Sequence, residues 1–156
     1  MHSTPVRQYE PKDLHFEERV RASFGRQQAM STLDIKIIRL EPGGIELGMP
    51  FLPQFTQQHG FVHAGIISTA LDSACGYAAF SLMTSDMAVL TVEFKTNLLA
   101  PAAGDYFRFY ASVIKPGRTL TVCEAHAVAH KSGSSKLIAT MTGTLMAVPE
   151  RASIRQ

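Results

Sequence analysis

One carboxylate interrupts the most apolar stretch of the chain. Asp72 is the single charged residue between Ala64 and Met83. Aspartate has a poor intrinsic preference for helix interiors, and a buried carboxylate is costly unless it is hydrogen-bonded. The residues alone leave two interpretations open. Asp72 is either a structural residue bonded to backbone or threonine, or a general base or nucleophile whose pKa is set by burial and by nearby donors.

The histidines are a second group of residues with possible chemistry. His59 and His63 are four residues apart, a spacing that zinc sites use, but the chain has no HExxH pattern and no third ligand nearby. His126 and His130 share one face of a predicted strand, which is more often incidental than a metal site. We therefore predict no metal site, and we expect His63 to pack or cap at the start of a helix.

Backbone donors and one basic turn complete the candidates. The N–H groups of Ala64 and Gly65 lie at the predicted start of the long helix, where unpaired donors and the positive end of the helix dipole coincide. They either cap the helix or bind a developing oxyanion, a contribution of about 3 kcal/mol. The segment Lys115-Pro116-Gly117-Arg118 is either a basic turn facing water or a turn suited to a phosphate.

These residues need a scaffold, which hydrophobic periodicity and turn residues outline. An amphipathic helix is expected over Asp13–Ala29, capped by Asp13, and one long helix begins near His63. Extended runs cover 35–40, 45–49, 88–99, 106–114, 120–129 and 137–148, separated by Pro- and Gly-containing turns. The order predicts an α+β fold with a sheet wrapped around the long helix. Strand order does not follow from periodicity.

Composition excludes several classes of protein. A chain of 156 residues with 46% apolar and 18% charged residues is typical of one folded domain. A net charge of +2 gives no nucleic-acid footprint. Cys75 and Cys123 lie in apolar segments and are expected as reduced core thiols. Residues 1–11 hold no signal-like apolar run, and a central Asp opposes a membrane span. We therefore predict a cytoplasmic protein with no membrane or nucleic-acid partner.

Four sequence blocks resemble the hotdog-fold thioesterases. The segment Gln57–Gly65, followed by Ala70-Leu71-Asp72, is similar to the family pattern Asn-x-x-Gly-x-x-His-Gly-Gly with Leu-x-Asp after it. The other blocks are 91–101, 115–120 and 136–144, so the resemblance spans about residues 35–148 and is strongest to the PaaI-like acyl-CoA thioesterases. Gln57 and Ala64 depart from the family's usual Asn and Gly.

The resemblance implies a hotdog fold, an antiparallel sheet around one central helix, over residues 35–148. An arm and helix (1–34) would precede this domain and a tail (149–156) would follow it. The implied reaction is hydrolysis of an acyl-CoA to free acid and CoA, without a cofactor, in a homodimer or homotetramer whose sites are shared between protomers. The implied catalytic residues are Asp72, Thr91, Gln57, His63 and Ala64. The implied substrate-binding residues are His59, Gly65, Leu98, Lys115, Pro116, Gly117, Arg118, Thr119 and Leu120.

Several alternatives stay open at this stage. One alternative function is that of a hotdog hydratase or dehydratase, but the His and acid pair of those enzymes matches this sequence poorly. A second alternative is a non-catalytic acyl-CoA-binding protein. Asp72 acts either as a general base or as a nucleophile, and the acyl group is either aromatic, such as phenylacetyl, or a medium or long chain. The polar row Thr91, Glu93, Lys95 and Asn97 is expected to meet a partner protomer. Pocket depth is expected to depend on Phe51, Phe55, Phe61, Phe80 and Met83.

Overall fold

A computed structural model describes residues 8–156 as one sheet built around one long helix. The helices are α1 (Phe16–Arg26), α2 (Gln28–Thr32) and α3 (Ala64–Phe80), with a 3₁₀ turn at Pro53–Phe55. The strands are β1 (Lys36–Glu41), β2 (Gly44–Pro50), β3 (Met87–Leu98), β4 (Tyr106–Lys115), β5 (Leu120–Lys131) and β6 (Ser134–Pro149). The sheet has six antiparallel strands in the order β1-β2-β4-β5-β6-β3.

Helix α3 is the centre of the core. Its small residues Ala70, Ala74 and Ala78 are fully buried, which allows the strands to approach the helix closely. The inward side chains of the sheet, such as Phe107 and Leu145, are buried as well. This arrangement confirms the predicted fold class, and it adds the strand order that alternation could not supply.

The region before the sheet differs from the prediction of one helix over Asp13–Ala29. It divides into α1 and α2 at Gln27, whose backbone is extended, and the residue that precedes α1 is His15 rather than Asp13. Asp13 instead accepts a hydrogen bond from the His15 N–H at 2.9 Å and pairs with Arg19 at 2.9 Å. The first seven residues of the predicted arm lie outside the described part of the chain.

Arg19 ties α1 to the end of α3. Its Nη2 donates to the carbonyl of Met83 at 2.7 Å, and its guanidinium lies 4.2 Å from the centroid of the Phe80 ring. A cation near unpaired carbonyls stabilises a helix C-terminus, so this contact helps to define where α3 stops.

Strand β3 contains a bulge that alters the predicted polar row. Thr91 pairs with Leu145 and Glu93 with Thr144, so Val92 is an extra residue without a partner of its own. Thr91 therefore points towards α3, whereas Glu93 lies on the outward surface of the sheet, where it accepts a hydrogen bond from the Thr144 hydroxyl at 2.6 Å. The expectation that Thr91, Glu93, Lys95 and Asn97 form one row was wrong, because the bulge shifts the alternation by one residue.

The two cysteines are buried and free, in the core where the sequence placed them. The Cys123 thiol donates to the carbonyl of Cys75 at 3.5 Å, and burial raises the pKa of Cys123 to about 12. Both thiols are therefore protonated at neutral pH. Within residues 8–156, no helix combines the length and the apolar character needed to cross a membrane.

Candidate active site

One side of α3 is left open by the sheet and by α1. This open face comprises Gly65, Ser68, Thr69, Asp72 and Gly76, which are all at least partly exposed in an otherwise buried helix. The spacing of three and four residues aligns them along the helix. The open face lies beside the inward side chains of β3, to which Ser68 and Asp72 are hydrogen-bonded, and this region is called the groove.

Asp72 and Thr91 face each other across this groove. The Thr91 hydroxyl donates to Oδ1 of Asp72 at 2.8 Å. Burial raises the pKa of the Asp72 carboxyl above its ordinary value, and the smaller effect of the Thr91 hydrogen bond opposes that rise. A carboxylate with a raised pKa is a stronger proton acceptor than an exposed one, so the site suits general-base chemistry. One turn earlier, the Ser68 hydroxyl donates to that of Thr96 at 3.4 Å, a contact in the same groove that sequence reasoning missed.

Gln57 lies in a tight turn before α3. The N–H of Gln57 donates to the carbonyl of Phe61 at 2.9 Å, the N–H of Gly60 donates back to the carbonyl of Gln57 at 3.0 Å, and Gly60 has a positive φ of 83°. The side-chain oxygen of Gln57 accepts a hydrogen bond from the N–H of His59. The longer side chain is therefore folded onto its own turn, and His59 is exposed beside it.

His63 caps α3. Its Nδ1 accepts a hydrogen bond from the N–H of Gly65 at 2.9 Å, and its own N–H donates to the carbonyl of Phe55 at 2.9 Å. The capping interpretation of His63 thus describes its geometry, and the backbone contact with Phe55 fixes the preceding loop. The Gly65 N–H is thus occupied by His63, whereas the Ala64 N–H has no acceptor within residues 8–156. Ala64 is therefore the available donor at this end of the helix.

The predicted catalytic residues fall into two groups within one chain. Gln57, His63 and Ala64 lie together before and at the start of α3, while Asp72 and Thr91 meet farther along. Asp72 is eight positions after Ala64, and at the helical rise of 1.5 Å per residue this places them about 12 Å apart along the axis. One thioester carbonyl in one chain cannot contact both groups.

The basic turn has a defined shape and free charges. Gly117 is required there, because a Cβ at this position would lie 2.0 Å from the carbonyl oxygen of Leu120. The carbonyl of Thr119 accepts from the N–H of Ala147 at 2.8 Å, which fixes the turn to β6. Neither Lys115 nor Arg118 forms an ion pair with any residue in the described part of the chain. Beside the turn lies a cavity of about 220 Å³, which Lys12, Pro116, Gly117 and Arg118 help to line.

A larger cavity, of about 550 Å³, lies elsewhere, at the β1–β2 hairpin and the outward side chains of β4 and β5. Tyr110 and His126 help to line it and stack with their ring centroids 4.9 Å apart. None of the predicted site residues lines this cavity, so its size does not make it the candidate active site. Among residues 8–156, no three His, Cys, Asp or Glu side chains are grouped to hold a metal ion.

Several predicted site residues lie away from both groups of predicted catalytic residues. Leu98 is exposed at the end of β3, and Leu120 is exposed at the start of β5. Of the residues expected to set pocket depth, Phe80 and Met83 are buried in the core, whereas Phe51 is exposed. Gly76, on the open face one turn after Asp72, was not predicted. A glycine inside a helix costs stability, and that cost was the signal available in the sequence.

Comparison with known proteins gives a consistent result. Residues 59–135 match the family model described as thioesterase superfamily. A protein of Saccharolobus solfataricus named as a candidate esterase is 33% identical over 117 residues, which cover 75% of this chain and 81% of that protein. A second such protein, from Halobacterium salinarum, is 32% identical over 104 residues, covering 64% of this chain and 68% of its own length.

Solved structures agree in fold. A thioesterase family protein from Silicibacter pomeroyi is 59% identical, with a TM-score of 0.86, and the match covers 86% of this chain and 99% of that one. The E. coli PaaI protein, from the phenylacetic acid degradation operon, has a TM-score of 0.77 at 22% identity, covering 85% and 93% of the two chains. The likeness to PaaI concerns the fold alone. The sheet wrapped around α3 is the hotdog fold of these neighbours.

Proposed function

This chain belongs to the thioesterase superfamily and is a thioester hydrolase, and we propose that it hydrolyses an acyl-CoA to a free acid and CoA with Asp72 as the catalytic carboxylate. The observation that carries the proposal is the 2.8 Å hydrogen bond between Thr91 and Asp72 on the open face of α3. It joins a carboxylate of raised pKa to a hydroxyl that can also hold a water molecule.

The proposed reaction uses the two groups of residues in one site. The thioester carbonyl lies against the Ala64 N–H, with Gln57 nearby, so that the developing oxyanion meets an unpaired donor at a helix N-terminus. Asp72 takes a proton from a water molecule oriented by Thr91, and the hydroxide adds to the carbonyl carbon. The tetrahedral intermediate then collapses, the carbon–sulfur bond breaks, and CoA leaves as the thiolate, which takes up a proton.

A second route uses the same residues. Asp72 attacks the carbonyl carbon directly and expels CoA, which gives a mixed anhydride that water then hydrolyses. The two routes differ in the source of the oxygen atom in the first acid molecule formed. A single turnover in ¹⁸O-labelled water tests for an anhydride that water opens at Cγ of Asp72, because the acid released then carries an unlabelled oxygen of Asp72 and the label enters the Asp72 carboxylate.

The site is proposed to be shared between two protomers. Ala64 and Asp72 are about 12 Å apart along α3 in one chain, so a second chain must bring the missing group. Strand β3 is a free edge of the sheet and carries large apolar side chains that are 42–58% exposed, namely Leu90, Val92, Phe94 and Leu98. Such an edge favours pairing with another strand, whereas the opposite edge, β1, is short and charged. We therefore propose a homodimer through β3, or a dimer of such dimers.

The nucleotide end of CoA is proposed to bind at the basic turn. Lys115 and Arg118 are exposed and free of ion pairs with the described residues, and the turn backbone of Pro116–Leu120 is fixed by Gly117 and by the bond to β6. His59, Gly65 and Leu98 are proposed to contact the substrate from the surface of the groove. Both an aromatic acyl group and a medium or long chain are compatible with this arrangement.

The test is thiol release from a panel of acyl-CoAs. The protein is incubated with acetyl-, octanoyl-, palmitoyl- and phenylacetyl-CoA, and free CoA is measured with a thiol reagent against a no-enzyme control. We expect hydrolysis of at least one member that saturates with substrate concentration. Saturable binding of acyl-CoA without thiol release would instead identify a non-catalytic acyl-CoA-binding protein.

A further inference from the structure

Gly76 has no structural reason to be glycine. It lies inside α3, where glycine destabilises a helix relative to alanine, and its backbone conformation is one that any residue adopts. A Cβ built at this position meets no atom of residues 8–156 within 4 Å, apart from the neighbouring turns of its own helix. Packing among residues 8–156 does not exclude a side chain here, so the space beside Gly76 is free for a ligand or a partner protomer.

The open space adjoins Asp72. Gly76 lies four residues after Asp72, one turn along the same open face of α3, and both are partly exposed. A group bound at the Asp72 carboxylate therefore passes over the backbone of Gly76 if it extends towards the C-terminal end of the helix.

The exposed face of α3 ends one turn beyond Gly76. Ala79 and Phe80 are 0% exposed, and Arg19 lies against the outer side of the Phe80 ring. A surface that stops at buried side chains suits the terminal group of a substrate. The pantetheine arm of CoA, by contrast, must continue to a nucleotide at the protein surface and needs an open route.

We infer that Gly76 is a specificity-determining residue, which forms the wall of the acyl pocket beside Asp72 and admits acyl groups bulkier than acetyl. The inference rests on the proposed acyl-CoA hydrolysis at Asp72. The absence of a side chain lets an aryl ring or an alkyl chain lie directly against the helix backbone, and a methyl group at this position would occupy that space.

The experiment compares Gly76→Ala and Gly76→Val with a matched control, Gly25→Ala. Gly25 is also a glycine inside a helix, α1, and a Cβ built there likewise meets nothing within 4 Å. For each protein, kcat/KM is measured with phenylacetyl-CoA, octanoyl-CoA and the shortest acyl-CoA that the unaltered protein hydrolyses. Melting temperature and oligomeric state are measured on the same preparations.

We expect Gly76→Ala to lower kcat/KM for the bulky substrates by at least about ten-fold, since one methyl group in an apolar pocket typically changes specificity by 10- to 200-fold. Activity with the shortest substrate should stay within about two-fold, and Gly76→Val should widen the difference. Both alanine variants should melt at the same temperature as the unaltered protein or higher, because alanine favours helix. Gly25→Ala should leave all kcat/KM values unchanged.

Three outcomes would overturn the inference. An equal fall in kcat/KM for all acyl groups would place Gly76 against the CoA arm. Unchanged kcat/KM values would show that the substrate does not use the space beside Gly76. Loss of assembly would make Gly76 a contact between protomers. If the unaltered protein releases no thiol from any acyl-CoA, the proposed function fails and the inference fails with it. Hydrolysis with an unaltered preference in Gly76→Ala would sink the inference alone.

Discussion

The hydroxyl of Thr91 on β3 donates a hydrogen bond to Oδ1 of Asp72 on α3, at 2.8 Å and across 19 residues of chain. This contact joins the edge strand of the sheet to the open face of the central helix. It also holds the Asp72 carboxylate in one orientation, while the second oxygen stays available to another partner.

Replacing Asp72 by Asn should remove activity and leave the fold intact. Asparagine keeps the size and most hydrogen bonding of aspartate but cannot accept a proton, so kcat should fall at least about 100-fold. Because burial raises the pKa of Asp72, the charged form is disfavoured in the folded protein, and the melting temperature at neutral pH should be unchanged or higher. Turnover and melting are measured on one preparation. A variant that melts much earlier but keeps its activity per folded molecule would show that Asp72 is structural, and a folded, fully active variant would exclude Asp72 as the catalytic carboxylate.

The pH profile should report the Thr91 hydrogen bond. Asp72 must be ionised to act, so kcat/KM should decline as the pH falls through its raised pKa. The Thr91 hydroxyl favours the carboxylate, so Thr91→Val should raise that pKa further and move the acid limb to higher pH. Thr91→Ser keeps the donor and serves as the control. If the acid limb of the kcat/KM profile does not move in Thr91→Val, Asp72 is not the group whose ionisation sets that limb.

Ala64→Pro should remove one donor without disturbing the helix. Ala64 is the first residue of α3, where proline is well tolerated, and His63 before it has φ −59° and ψ 137°, a conformation that a following proline favours. The only polar change is the loss of the Ala64 N–H. If that group binds the oxyanion, kcat should fall by about 100- to 1,000-fold with the melting temperature nearly unchanged. Ala64→Gly keeps the donor and should retain activity. Full activity in Ala64→Pro would exclude this N–H from catalysis.

Mixing two inactive variants should restore activity if the site is shared. In a random mixture of Ala64→Pro and Asp72→Asn protomers, half of the dimers are mixed and each has one intact site, so about a quarter of the unaltered activity should return. The variants are co-expressed, and each variant alone is the control. Light scattering at micromolar concentration should show a dimer or tetramer. A monomer, or mixed dimers without activity, would contradict a shared site.

Arg118→Ala should weaken binding of CoA rather than chemistry. A phosphate contact near solvent is worth about 1–2 kcal/mol, so KM for an acyl-CoA should rise about ten-fold while kcat stays similar. An acyl-pantetheine without the nucleotide should be hydrolysed equally well by both proteins. Lys131→Ala, at the turn between β5 and β6, provides a control that removes a positive charge elsewhere. Equal damage to both substrates would mean that the turn is structural.

The sequence was most informative where one local pattern determines one element. The long helix was predicted to start near His63 and starts at Ala64, and the last four strands lie close to their predicted bounds, because apolar periodicity and Pro- or Gly-containing turns are local signals. The pairing of β3 with β6 at the sheet edge depends on contacts distant in the sequence. Periodicity contains no information about such contacts.

The site was predictable in composition but not in detail. Asp72 was visible as an isolated charge in an apolar helix, yet its pairing with Thr91 came from resemblance to a family. The orientation of Gln57 towards its own turn, and the occupation of the Gly65 N–H by His63, depend on side-chain geometry that residue types do not fix. The bulge at Val92 has no sequence signature, because Val is common in regular strands.

The extra residue at Val92 affects the local bend of β3 but not the faces on which Thr91 and Glu93 lie. Pairing with β6 continues without an offset on the β6 side of the bulge, so a chain shortened by Val92 alone would keep Thr91 inward and Glu93 outward. It would lose only the local bend and the added twist of the bulge. Deleting Val92 would therefore leave every reacting side chain on its present face and would change only the bend of β3 that sets how the Thr91 hydroxyl approaches Asp72.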